Sequence, residues 1–142
     1  MLTTSELEEA IRAEQAKAAD PALIAAIMAA HEAALTIAAG DDETAKWCVT
    51  SFDCAMQAIA TLCVSGRLNL VMGMINNMFR LADIMDRLKL PGSPHYQKTA
   101  LGMHQIFSRL NELNDMKLAL EKEQADQQVS QVAQQGDKPT IH

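Results

Sequence analysis

The chain has 142 residues, of which 49% are hydrophobic and only 4% aromatic, and its formal net charge is −6. This length supports one domain with a single core, and the acidic balance disfavours direct nucleic-acid binding by a basic face. The apolar residues are mainly Ala, Leu, Ile and Met, which suit helices, while β-branched runs that favour strands are scarce. We therefore predict an all-α fold of about five helices, with a bundle-like core, a peripheral N-terminal helix and a flexible C-terminal tail.

The first predicted helix covers residues 5–19. Ser5 and Glu8 have the spacing of a capping box at its start. Its apolar face is thin, which indicates a peripheral position in the fold. Residues 1–20 contain five acids and two bases, a local charge of −3, so this helix would suit a basic site on a partner.

The second predicted helix, residues 21–39, is apolar on nearly every face. Asp20 and Pro21 form an N-cap and first-turn pair at its start. Gly40 is expected to end it in the left-handed conformation. A helix of this kind either is central or lies at a partner interface.

The third predicted helix follows the acidic run at 41–43 and ends at Gly66. Its predicted core stripe consists of Cys48, Phe52, Ala55, Met56, Ile59 and Leu62. Cys48, Cys54 and Cys63 differ by about 120° and 180° around the helix, so they do not share a face. They are therefore expected to form neither a disulfide within the helix nor a three-ligand metal site. We predict reduced core thiols, as in a cytosolic protein.

The fourth predicted helix, residues 67–90, has a wider apolar face than one packing seam requires. Steps of three and four residues define a seam of Val71, Met74, Met78, Leu81, Met85 and Leu88. A second stripe beside it consists of Leu68, Met72, Ile75, Phe79 and Ala82. Such a face must be covered on more than one side. Asn76 and Asn77 lie beside the seam, where they either set the register of a helix pair or, as we favour, mark its solvated edge.

The last predicted helix follows the turn sequence PGSP at 91–94, with Ser93 and Pro94 as its cap. Its seam consists of Met103, Ile106, Leu110, Leu113, Lys117 and Leu120. The short turn predicts antiparallel packing against the fourth helix. We assign residues 1–124 to one helical domain and residues 125–142, which are polar and rich in glutamine, to a disordered tail.

The sequence contains no pattern typical of an active site. His31 and Glu32 match the start of an HExxH zinc helix, but position 35 is leucine instead of the second histidine. His95 and His104 have no acid or cysteine at ligand spacing, and no thiol lies at a predicted helix N-terminus beside a cation. We predict a protein that is not an enzyme, with no catalytic, cofactor or metal site.

A cytoplasmic location, with no membrane contact, is expected. The first ten residues lack the basic start and apolar run of a signal peptide. Apolar stretches of about 18 residues are interrupted by Asp53, Arg67 and the pair Asn76 and Asn77.

The surplus of apolar helix surface favours a small protein–protein interaction protein, of adaptor or inhibitor type, that forms a homodimer. The methionines of the fourth helix either form an adaptable partner groove or, as we favour, fill the core. The predicted partner or dimer interface comprises Met72, Ile75, Phe79, Ile24, Met28 and Leu35. The alternative is an accessory nucleic-acid-binding or packaging-type protein that works only as an oligomer, by aligning the arginines of residues 67–89 across subunits.

Overall fold

The computed structural model describes the backbone of residues 2–137 and the side chains of residues 2–132. The helices are α1 (Thr4–Ala16), a short 3-10 helix (Lys17–Ala19), α2 (Pro21–Ala38), α3 (Glu43–Val64), α4 (Leu68–Arg87) and α5 (Ser93–Asp137). The five α-helices pack on one another, and the described part of the chain contains no strand. The all-α prediction is therefore confirmed.

Side-chain caps begin the first two helices. The capping box of α1 is formed by Thr3 and Glu6, because the Thr3 hydroxyl accepts from the Glu6 N–H at 3.2 Å and a Glu6 carboxylate oxygen accepts from the Thr3 N–H at 3.4 Å. The predicted Ser5 and Glu8 box was therefore wrong, since Thr3 has the same spacing two residues earlier. Asp20 accepts from the Ala22 N–H at 3.4 Å, which confirms the predicted cap of α2.

Gly40 and Gly66 each follow a helix in the sequence, but their backbone conformations differ. Gly66 has a φ of +72°, and the Arg67 N–H donates to the Leu62 carbonyl at 2.9 Å, as in a Schellman motif. The predicted stop of α3 is thus confirmed. Gly40 has no positive φ, so the left-handed stop predicted for α2 was wrong.

Helix α4 lies between α3 and α5 and forms the centre of the larger core. The Ser93 hydroxyl donates to an Asp86 carboxylate oxygen at 3.5 Å, and the rings of Phe79 and His104 lie 5.3 Å apart. These pairs run in opposite directions along the two helices, which confirms the antiparallel packing. The largest fully buried side chains of α4 are Val71, Ile75, Met78 and Met85.

Both apolar stripes of α4 are covered within the single chain except at Leu88, the last residue of the seam, which is 49% exposed. Ile75 and Ala82 of the second stripe lie in the same core cluster as Met78 and Met85 of the seam. Because α3 and α5 pack on either side, the wide face requires no partner molecule. The asparagine pair is exposed, which confirms the solvated edge.

Helix α5 contacts more of the other helices than α4 does. Its first half packs against α4 and α2, and further along the helix packs against α1. Leu23, Ile106 and Leu110 form a second, smaller core where α2 crosses α5. Leu7 is the one large apolar side chain of α1 that is fully buried, which agrees with the peripheral position predicted for this helix.

The helix α5 continues to Asp137, beyond the predicted domain boundary at 124. All side chains from residue 121 to residue 132 are exposed, so this part adds nothing to either core. The five residues 138–142 of the predicted tail lie outside the described residues.

We expect a chain that ends at Gln128 to have the thermal stability of the full chain. The removed residues bury no apolar side chain that is described, and their backbone must be ordered to be helical. The melting temperatures, followed by circular dichroism, should agree within about two degrees. A loss of many degrees would show that the end of α5 docks on the domain.

Candidate interaction groove

Helix α2 is covered on one face only. Its buried residues, Leu23, Ala26, Ala30 and Ile37, point towards α5 and α3. On the opposite side Ile24, Met28 and Leu35 are 42%, 61% and 59% exposed. The excess apolar surface predicted from the sequence therefore lies on α2, at the edge of the fold.

A groove of about 570 Å³ runs between α2 and α3. Helix α5 closes its floor with Tyr96 and Thr99, and Phe52 of α3 lies beside them. The apolar walls are Ile27, Met28, Ala34 and Leu35 of α2, and Val49 and Met56 of α3. The exposed side chains Met28 and Leu35 are thus part of a concave surface.

Tyr96 joins the three helices at the floor of the groove. Its hydroxyl donates to the Ala30 carbonyl of α2 at 2.9 Å, and its ring stands edge-on to Phe52 of α3, with the ring centres 4.9 Å apart. Burial raises the pKa of Tyr96 to about 12. No motif in the sequence singles out this residue. The available signal was its position four residues before Ala100, on the same buried face of α5.

We expect the free energy of unfolding to fall as the pH rises from about 10 to about 12. The pKa of Tyr96 is raised from 10.0, so its contribution is complete below pH 10 and is lost as the pH passes the folded-state value. Tyr96 is the single tyrosine of the chain, so phenolate absorbance follows it directly. Urea unfolding should show a smaller decline for Tyr96→Phe. A phenolate midpoint near pH 10 in the folded protein would contradict this assignment.

The exposed polar residues of the groove lie at its rim. His31 and Glu32 are exposed on α2, and Asp53 is exposed on α3, where it accepts from the Gln57 side chain at 2.9 Å. Within residues 2–132, no group of three or more His, Cys, Asp or Glu side chains could hold a metal ion. The rim therefore offers charge and hydrogen bonds beside an apolar floor.

The predicted interface residues do not form one surface. Ile75 is fully buried, and Met72 and Phe79 are partly buried against the core. The backbones of α2 and α4, both fully described, do not come close to each other, so these residues do not adjoin Met28 and Leu35. Ile75 is accordingly a core residue that no partner can reach. The structure brings together only the three α2 members of the predicted set.

The three cysteines are free thiols in different surroundings. Cys48 is buried and Cys63 partly buried, and burial raises the pKa of both, with the Asp42 charge as a second cause for Cys48. Cys54 is exposed, so the prediction of a core thiol was wrong at this position.

Helices α2 and α3 are also, within the described residues, the two that are long and apolar enough to cross a membrane by length and composition alone. Core helices of soluble proteins share that property, and α3 contributes Cys48, Phe52 and Ile59 to the core of this fold. Comparison of the chain with protein-family models, with curated proteins and with solved structures found no match.

Proposed function

We propose that the chain is a non-enzymatic cytoplasmic protein that binds an apolar helix face of another polypeptide in the groove between α2 and α3. The observation that carries this proposal is the exposed row Ile24, Met28 and Leu35, which continues into a groove with an aromatic floor. Binding of an amphipathic helix in such a groove is a recurrent mode of recognition.

The length of the groove suits a short helix. Its α2 wall extends from Ile27 to Ala38, which is about 16 Å, or three helical turns. Met28 and Met56 lie on opposite walls, and unbranched thioether side chains can repack around different partner side chains. A helix in this position would remove the exposed apolar face of α2 from water, which favours binding.

Affinity capture followed by quantitative mass spectrometry tests the proposal. We expect Met28→Asp and Leu35→Asp to lose proteins that the wild-type chain captures, because a buried carboxylate without a partner is costly. Val64→Asp is the matched control, since Val64 is exposed at the end of α3 and lies outside the groove. Equal capture by the groove variants and the control, with all variants folded, would overturn the proposal.

The oligomeric nucleic-acid alternative is weaker. The arginines of α4 share their surface with Asp83 and Asp86, and Arg87 pairs with Asp83 at 3.0 Å. Phosphate binding requires a continuous positive face, which this alternation interrupts.

A membrane surface is another possible occupant of the groove. Binding of the wild-type chain to lipid vesicles that is abolished by Met28→Asp and Leu35→Asp would indicate a membrane surface in place of a helix.

A further inference from the structure

The exposed face of α2 has the spacing of a helix–helix seam. Ile24, Met28, His31, Leu35 and Ala38 follow one another at steps of four, three, four and three residues, and all five are exposed. This alternation is the one by which packed helices pair along their length. In the single chain, no described helix covers this row.

The central part of the row is self-complementary in an antiparallel pair. An axis between His31 and Glu32 places Met28 opposite the Leu35 position, and His31 opposite the Glu32 position, of an antiparallel copy. Met28 and Leu35 of the two copies then meet each other, His31 meets Glu32, and Ile24 lies opposite the small Ala39.

We infer that the helix in the groove is α2 of a second copy of this chain, packed antiparallel across a two-fold axis between His31 and Glu32. This inference rests on the proposed function and names its partner. A histidine and a carboxylate can share a hydrogen bond, and the two-fold axis creates this contact twice. In a parallel pair, Glu32 would face Glu32 of the other copy, and like charges there would repel.

The groove completes the packing. When each α2 lies in the groove of the other copy, it contacts both α2 and α3 of that copy, so that α2 and α3 of the two chains form a four-helix layer. Val49 and Met56 would then cover Met28 and Leu35 from the side. Asp53 would stay at the rim, beside its Gln57 partner.

Charge reversal tests the register. His31→Glu places a carboxylate against Glu32 of the other copy, and Glu32→Lys removes the carboxylate that pairs with His31, so each variant alone should dimerise about tenfold more weakly than the wild type. Mixing the two variants should restore dimerisation as a heterodimer, measured by analytical ultracentrifugation and native mass spectrometry. Both positions are exposed, and circular dichroism verifies that the variants fold. Wild-type dimerisation by either variant alone, or no recovery on mixing, would overturn the inference.

Cross-linking tests the orientation in a Cys54→Ser background, which removes the exposed thiol. Met28→Cys and Leu35→Cys should cross-link efficiently when mixed and poorly when alone, whereas a parallel pair would give the reverse result. A wild-type chain that stays monomeric while Met28→Asp still abolishes partner capture would reject the second copy and leave the proposed function standing. A Met28→Asp variant that still captures partners and still dimerises would reject both the second copy and the proposed function.

Discussion

Replacing Gly92 by alanine should destabilise the fold by about 2–5 kcal/mol, although the change adds a single methyl group. Gly92 has a φ of +79°, where a residue with a side chain is strained. A Cβ atom there would lie 2.4 Å from the Cβ of Ala33, so the turn between α4 and α5 would have to move away from α2. The free energy of unfolding in urea measures the effect.

Gly66→Ala provides the matched control. Gly66 has a similar φ of +72°, but nothing lies within 4 Å of the Cβ position. This variant should therefore lose only the left-handed backbone term, about 1–2 kcal/mol. Adding Ala33→Gly to Gly92→Ala should recover part of the loss despite the cost of a helical glycine. If the two alanine variants lost equal free energies of unfolding and Ala33→Gly recovered none of it, the turn would not be in close steric contact with α2.

Ile75→Ala should destabilise the fold by about 2–5 kcal/mol, because it leaves a cavity among fully buried neighbours on α4. Met28→Ala is the comparison, since Met28 is 61% exposed and its truncation should change the stability of the single chain by about 0.5 kcal/mol or less. Urea unfolding at a concentration where the chain is monomeric separates the two. An Ile75→Ala variant with wild-type stability and weakened self-association would show that Ile75 belongs to the interface, as the sequence predicted.

The periodicity of the sequence predicted the helices well because the buried face of each helix is apolar at helical spacing. The predicted positions of the two α4 stripes and of the α5 seam are buried or partly buried, except Leu88 at the end of the α4 seam, which is 49% exposed. Periodicity does not identify what covers a face. Ile75 and Met28 both belong to apolar stripes, yet α3 and α5 enclose the first and leave the second open.

The groove depends on contacts that are distant along the chain. The Tyr96 hydroxyl reaches the Ala30 carbonyl across 66 residues, and Gly92 approaches Ala33 across a similar separation. A local sequence pattern identifies the turn at residues 91–94 and the mostly apolar α2. It does not show that the turn contacts α2. The predicted interface therefore combined α2 residues at the groove with α4 residues from the core.

The mass of the chain in solution tests most directly the claim that α2 is an interaction surface occupied by a second copy. Light scattering at micromolar concentration should report about twice the 15.5 kDa mass of one chain for the wild type. Leu35→Asp should report the mass of one folded chain, and Val64→Asp should behave as the wild type. A wild-type mass of 15.5 kDa at every concentration, with no binding of a hydrophobic dye, would contradict the claim.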